Sequence, residues 1–197
     1  GTTTIEAKSG YGLSVNDEIK SLEVISDLNN NLDIDIIPTF LGAHSVPEEY
    51  LNKKQKYIDL ICEEMIPEIS NRKLAVFCDV FCEEGYFSVD DTKRLLEAAN
   101  KYGLQGKTHV NQFNAIGWVK ASVDLGSRSV DHLEEINDED FEALKNSECM
   151  PTILPSCSFF LSIPYGPARK IIDLMNTVIL NTAIIERECF KRLIKLI

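Results

Sequence analysis

Residues 107–113 read KTHVNQF and residues 129–136 read SVDHLEEI. Each is a short, apolar-leaning run with one histidine toward its end, His109 and His132. The chain holds three histidines, and the third, His44, ends a similar run, PTFLGAH, at 38–44. Runs of strand length that finish on an imidazole put polar chemistry where a strand meets its loop. The fold question is what kind of sheet gathers such ends.

Working outward, IDIIPTFLGAH (34–44) and LAVFCDVFCE (74–83) are nearly continuous in apolar residues. Such runs suit strands covered on both faces of a parallel sheet. TTTIEAKSG (2–10), KTHVNQF, SRSVDHL (127–133), MPTILPS (150–156) and TVILNTAII (177–185) read as further strands. Helical spacing fills the gaps. LSVNDEIKSLEVISDLNNNL places Leu22, Ile25 and Leu28 on one face, and residues 48–66 do the same with Tyr57, Leu60, Ile61 and Met65. SVDDTKRLLEAANKYGL opens on Ser88 as N-cap, with Asp91 at the capping-box position and Gly103 closing it. FNAIGWVKASVDLG puts Ile116, Val119 and Val123 on one face. NDEDFEALKNS and ARKIIDLMN are also helical.

Strand and helix therefore alternate with short loops, which means an α/β fold with a parallel sheet. An open doubly wound sheet and a (β/α)₈ TIM barrel both fit. No glycine-rich phosphate loop follows a strand. Tyr11, His44, Glu83, His109, Gln112, Asp131 and His132 cluster at strand C-terminal ends, which is barrel behaviour. Six or seven strands fall short of eight, and a whole barrel takes about 250 residues. The alternatives at this point are a barrel lacking units or another α/β sheet.

The 197 residues carry 20 Lys plus Arg against 31 Asp plus Glu, a formal net charge of −11. That surface argues against nucleic acid and anionic membrane as partners. There is no signal peptide and no apolar run long enough to cross a bilayer. Six cysteines without a CxxC pair read as reduced, buried thiols of a cytoplasmic protein. The start, GTTTIEAKSG, reads like the inside of a domain.

Neutral imidazole at a strand end suits zinc or iron, with carboxylate completing the set. His109 is the first candidate ligand. His132 is a candidate general base, although adjacent Asp131 and His132 face opposite ways in a strand. Gln112 could orient substrate, since an amide both donates and accepts. Lys8, Tyr11 and His44 suggest a donor-rich rim. Arg169 in YGPAR, Glu48 and Glu49 read as surface charges at helix starts, and Trp118 as core.

At these same residues the sequence resembles the imidazolonepropionase family of the metal-dependent amidohydrolase superfamily. The runs that carry the resemblance are EAKSGYGL (6–13), PTFLGAHSVPEEY (38–50), DVFCEEGYFS (79–88), KTHVNQF, GSRSVDHLEEI (126–136) and PYGPARKIID (164–173). The resemblance implies an amidohydrolase-type (β/α)₈ barrel. It implies a small-molecule substrate, with hydrolysis of the cyclic amide of 4-imidazolone-5-propanoate to N-formimidoyl-L-glutamate, one zinc or iron (Zn2+ or Fe3+) ion per subunit, and a cytoplasmic homodimer.

By resemblance His109 is the metal ligand. Tyr11, His44 and Gln112 bind substrate, with His44, Gln112 and His132 taking part in catalysis. The family's His-x-His pair would lie before Gly1, and its last metal aspartate would fall where this chain reads TVILNTAIIERECF. The expectation is an incomplete barrel over 1–197, lacking the first strand and the metal-aspartate strand end. Residues after about 175 depart from the family pattern. The other reading is a non-catalytic barrel serving as a binding module.

Overall fold

The computed structural model describes residues 3–115 and 117–175, with the backbone of 179–180. Seven strands pair in chain order, every neighbour parallel: β1 (Thr4–Lys8), β2 (Asp35–Ala43), β3 (Phe77–Cys82), β4 (Gln105–Val110), β5 (Ser129–His132), β6 (Met150–Ile153) and β7 (Ile179–Leu180). Parallel neighbours in strict sequence need a crossover each time, and helices supply it. They are α1 (Val15–Asn31), α2 (Lys54–Leu60), α3 (Ile66–Asn71), α4 (Val89–Lys101), α5 (Trp118–Asp124), α6 (Asp138–Lys145), α7 (Pro155–Leu161) and α8 (Ala168–Met175).

The sheet curls. Lys8 Nζ on β1 lies 3.2 Å from Asp131 Oδ2 on β5, and Lys107 Nζ on β4 lies 2.7 Å from Glu6 Oε2 on β1. Four inter-strand steps span roughly 19 Å across a flat sheet, more than a lysine and an aspartate can bridge. The strands are therefore wrapped as in a TIM barrel, and the sheet is an incomplete barrel with β1 and β7 as its edges.

Two apolar cores lie outside the curl. Leu22, Phe40, Tyr57, Ile61, Met65, Val80, Leu95 and Leu96 form one, between β2–β3 and α1–α4. Val110, Trp118, Val119, Val130, Phe141, Leu144 and Ile171 form the other, between β4–β6 and α5, α6 and α8. Inside the curl, polar groups take positions that branched aliphatics commonly fill in such barrels. No helix among the described residues is long and apolar enough to cross a membrane.

The capping expectations hold. Ser88 accepts from the Asp91 amide, and the Asp91 side chain accepts from the Ser88 amide. Asn137 and Asp140 repeat the motif at α6. Several expectations need correction. Leu28, expected on the packed face of α1, is exposed. The helix expected over 48–66 has a separate 3₁₀ turn (Glu48–Tyr50) first and then runs without a gap through α2, a π turn (Ile61–Met65) and α3. The widened turn keeps Tyr57, Ile61 and Met65 all buried. Helix α7 was not anticipated. Trp118 opens α5 and is buried, as expected for core. Ile116 and Cys189 lie outside the described residues, as does most of TVILNTAII.

Candidate metal centre

Three of the candidate residues, His44, His109 and His132, converge on Phe81, near the end of β3. Its ring centroid lies 6.1 Å from that of His44, 6.4 Å from His109 and 6.4 Å from His132. The His109 and His132 rings are themselves 5.1 Å apart. Three histidines distant in sequence thus share one mouth, because each sits at the C-terminal end of its strand or just beyond it.

His109 faces inward beside its neighbour strands' carboxylates. Its Nδ1 is 3.1 Å from Asp79 Oδ1 and 3.0 Å from Asp79 Oδ2. Asp79, His109 and Asp131 each offer one ligand atom, all within 4.8 Å of one another, and could hold a metal ion. The same two carboxylates are served by lysines. Lys8 Nζ donates to Asp79 Oδ2 at 2.5 Å and to Asp131 Oδ2 at 3.2 Å, and Lys107 Nζ is 3.7 Å from Asp131 Oδ2. Ser129 Oγ donates to Asp131 Oδ1 at 2.8 Å.

Electrostatics follow from this packing. Burial alone would raise Asp79, yet hydrogen-bonded His109 and the Lys8 ammonium hold it well below the usual carboxylate range. Burial also opposes the charge on Asp131, which Lys8 and Lys107 pull down to about 2. Lys8 loses solvation but is raised by Asp79, Asp131 and Glu6. Burial lowers His109, and Lys8 adds to that, against Asp79 and Asp131, which raise it; the net direction is downward and favours the neutral imidazole. With Glu6, three carboxylates face two ammoniums, and one negative charge remains uncompensated. A neutral imidazole beside that charge fits a divalent or trivalent cation.

His132 corrects the alternation argument. Its φ is +93° and that of Leu133 is +61°. The strand pleat breaks there, so Asp131 and His132 both reach His109 and do not turn to opposite sides. Such backbone is costly for non-glycine residues and concentrates at functional sites. His132 Nδ1 lies 3.4 Å from Glu134 Oε2, and Glu134 Oε1 accepts from Ser158 Oγ at 2.7 Å.

KTHVNQF is not all strand. β4 ends at Val110, and Asn111 takes φ +56°, which asparagine tolerates. After that turn Gln112 is buried, and its Nε2 lies 3.6 Å from Cys157 Sγ. Glu83 is a scaffold for this loop. Its Oε2 accepts from the amides of Gln112 and Phe113, both at 3.1 Å.

The β1–α1 loop carries Tyr11. Buried Glu18 accepts from the amides of Gly10, Gly12 and Leu13 at 2.8, 3.1 and 2.9 Å. Tyr11 is exposed and packs edge-on to His44, centroids 5.3 Å apart. His44 Nδ1 is 2.9 Å from the Gly10 carbonyl oxygen, which can only accept. Lys8 is not part of a rim; it is drawn inside by Asp79 and Asp131. Arg169 is a surface charge 3.7 Å from Asp173, as expected. Asp79, Glu134, Lys107 and Glu18 were not anticipated as site residues. The signal for Asp79 was legible, a lone charge in the apolar run AVFCDVFC.

The relatives of the chain bear on this mouth. No family model matches it. Curated imidazolonepropionases do. That of Christiangramia forsetii is 55% identical over 173 residues, covering 88% of this chain and 42% of the relative. That of Thermoanaerobacter pseudethanolicus is 44% identical over 182 residues, covering 92% and 44%.

The chain is a close homologue of the imidazolonepropionases.

It spans less than half the length of these relatives. Among solved structures, guanine deaminase from C. acetobutylicum superposes with a TM-score of 0.71 at 16% identity, covering 93% of this chain and 47% of that one. An amidohydrolase from Burkhoderia ambifaria with bound Zn gives 0.67 at 17% identity, covering 91% and 52%. At such identity these establish the fold, that of the amidohydrolase-type barrel.

Proposed function

We propose that the chain is the central part of an imidazolonepropionase barrel domain, residues after about 175 departing from the family pattern. The reaction would be metal-dependent hydrolysis of the cyclic amide C–N bond of 4-imidazolone-5-propanoate, giving N-formimidoyl-L-glutamate. The observation that carries this reading is the placement of His109 at the end of β4, beside Asp79 and Asp131 and 5.1 Å from the His132 ring, in a chain homologous to those enzymes.

His109 would be the ligand contributed by these residues, through Nε2, since Nδ1 faces Asp79. The ion, zinc or iron, would supply Lewis acidity that acidifies water and polarises the ring carbonyl. The family's remaining ligands are proposed to come from outside this chain. His132 would take the proton from the attacking water, with Glu134 beside its Nδ1. Gln112 would orient substrate by donating and accepting at one amide.

His44 and Tyr11 would bind the substrate ring from the loops after β2 and β1. His44 keeps Nδ1 on the Gly10 carbonyl, so Nε2 is the atom left for substrate. In the proposed reaction it would stand beside the oxygen on which charge develops. On the family resemblance, the full protein is proposed to be a cytoplasmic homodimer.

The test is to purify the full-length polypeptide, determine its metal content and follow ring opening of 4-imidazolone-5-propanoate. Metal near one equivalent with turnover supports the proposal. Metal-free protein without turnover after zinc or iron loading would support the binding-module reading. That reading is favoured only by the lysines already engaging Asp79 and Asp131.

A further inference from the structure

We infer that Asp79 is a positioning residue: it fixes the proton of His109 on Nδ1 and is itself held by Lys8, so that His109 Nε2 keeps its lone pair for a metal ion. The inference rests on the metal-dependent reading above and adds a role for two residues that reading does not use.

Three observations carry it. First, both Asp79 oxygens lie 3.0–3.1 Å from His109 Nδ1, and a carboxylate only accepts, so the hydrogen between them belongs to Nδ1. Second, Asp79 cannot swing. Its side chain is fully buried, and Oδ2 is engaged by Lys8 Nζ at 2.5 Å, an ammonium anchored also at Asp131. Third, a cation taking Asp79 as a direct ligand would approach oxygens already facing that ammonium, and like charges at this range repel strongly in a buried site. The arrangement is carboxylate to imidazole to metal, in which the outer carboxylate sets tautomer and ring orientation.

The interaction has a sharp consequence for Asp79→Asn. The amide oxygen would take the Oδ2 place facing Lys8, still 3.0 Å from His109 Nδ1, and the NH₂ group would replace Oδ1, so Nδ1 loses one of its two acceptors. The preference for the proton on Nδ1 then weakens, and Nε2 is protonated in a larger share of the molecules.

The experiment uses ¹⁵N-labelled full-length protein without metal and long-range ¹H–¹⁵N correlation at the His109 ring. Wild type should show Nδ1 protonated and Nε2 bare, and Asp79→Asn should show a mixture of the two tautomers. Zinc affinity of Asp79→Asn, read by chelator competition, should fall by about 10–100-fold. The visible spectrum of Co2+ at saturation should keep its wild-type shape, since no ligand atom is lost.

A wild-type proton on Nε2 overturns the inference, and this reading needs no variant to fold. A Co2+ spectrum altered in Asp79→Asn also overturns it, by making Asp79 a ligand. The expected tautomer in a protein without turnover would leave this inference standing and defeat only the proposed reaction.

Discussion

Lys8 and Asp79 meet across the curled sheet, Lys8 Nζ 2.5 Å from Asp79 Oδ2, although 71 residues and one intervening strand separate them. The pair ties the first strand to the strand that orients His109. Ions buried this way are costly to leave unmatched, because the survivor has lost its water and gained nothing.

Lys8→Met should therefore destabilise the protein by about 3–5 kcal/mol, the usual cost of removing one partner from a buried ion pair. Urea unfolding of the full-length protein at neutral pH measures it. A loss below about 1 kcal/mol would mean that Asp79 and Asp131 find water when Lys8 is gone.

Acid should expose the same network. Asp131 sits at about 2 in the folded chain, against about 3.9 for an unperturbed aspartate. A depressed folded value stabilises the fold fully above pH ~4, and that stabilisation is lost as pH falls through about 2. Unfolding free energy should drop over this window, and Asp131→Asn should flatten the drop. A wild-type curve that stays level through the window contradicts the assignment.

The histidines should separate by function. His109→Ala should abolish most metal binding and nearly all turnover. His44→Ala should leave metal content at the wild-type level and lower kcat/KM, by about 10²-fold or more if it contacts the developing charge. Elemental analysis and initial rates on the same preparations decide it. Metal loss from the His44 variant would place His44 among the ligands.

Glu83→Ala removes the acceptor for two loop amides and should let Gln112 drift. A drop in kcat of about 10–100-fold is expected from such misplacement. Glu83→Gln, which keeps an acceptor oxygen, should recover part of it. Equal loss in both variants would point to a need for the Glu83 charge itself.

Three of the cysteines are buried, as read from composition, while Cys62 and Cys157 are half-buried. Cys78, Cys82 and Cys149 are buried and free, and burial pushes the thiol of Cys82 up to about 11 and that of Cys149 to about 12. They should resist alkylation at neutral pH until the protein unfolds, as peptide mass mapping would reveal.

The sequence by itself determined the seven strands, their parallel alternation with helices, and the caps of α4. These are local facts: apolar period, strand-length runs and the capping box act within a few residues. It also pointed to His44, His109, Gln112 and His132, since a polar side chain ending an apolar run faces a loop in any parallel sheet. What only the tertiary structure decided is who meets whom. Lys8 reads from sequence as a rim donor, yet the curl draws it onto Asp79 and Asp131, strands away. Asp131 and His132 read as opposed, yet a positive φ at His132 brings both to His109. Side-chain direction follows from the strand period only while the pleat persists. The partners of a buried charge depend on sheet closure, which no short stretch of chain contains.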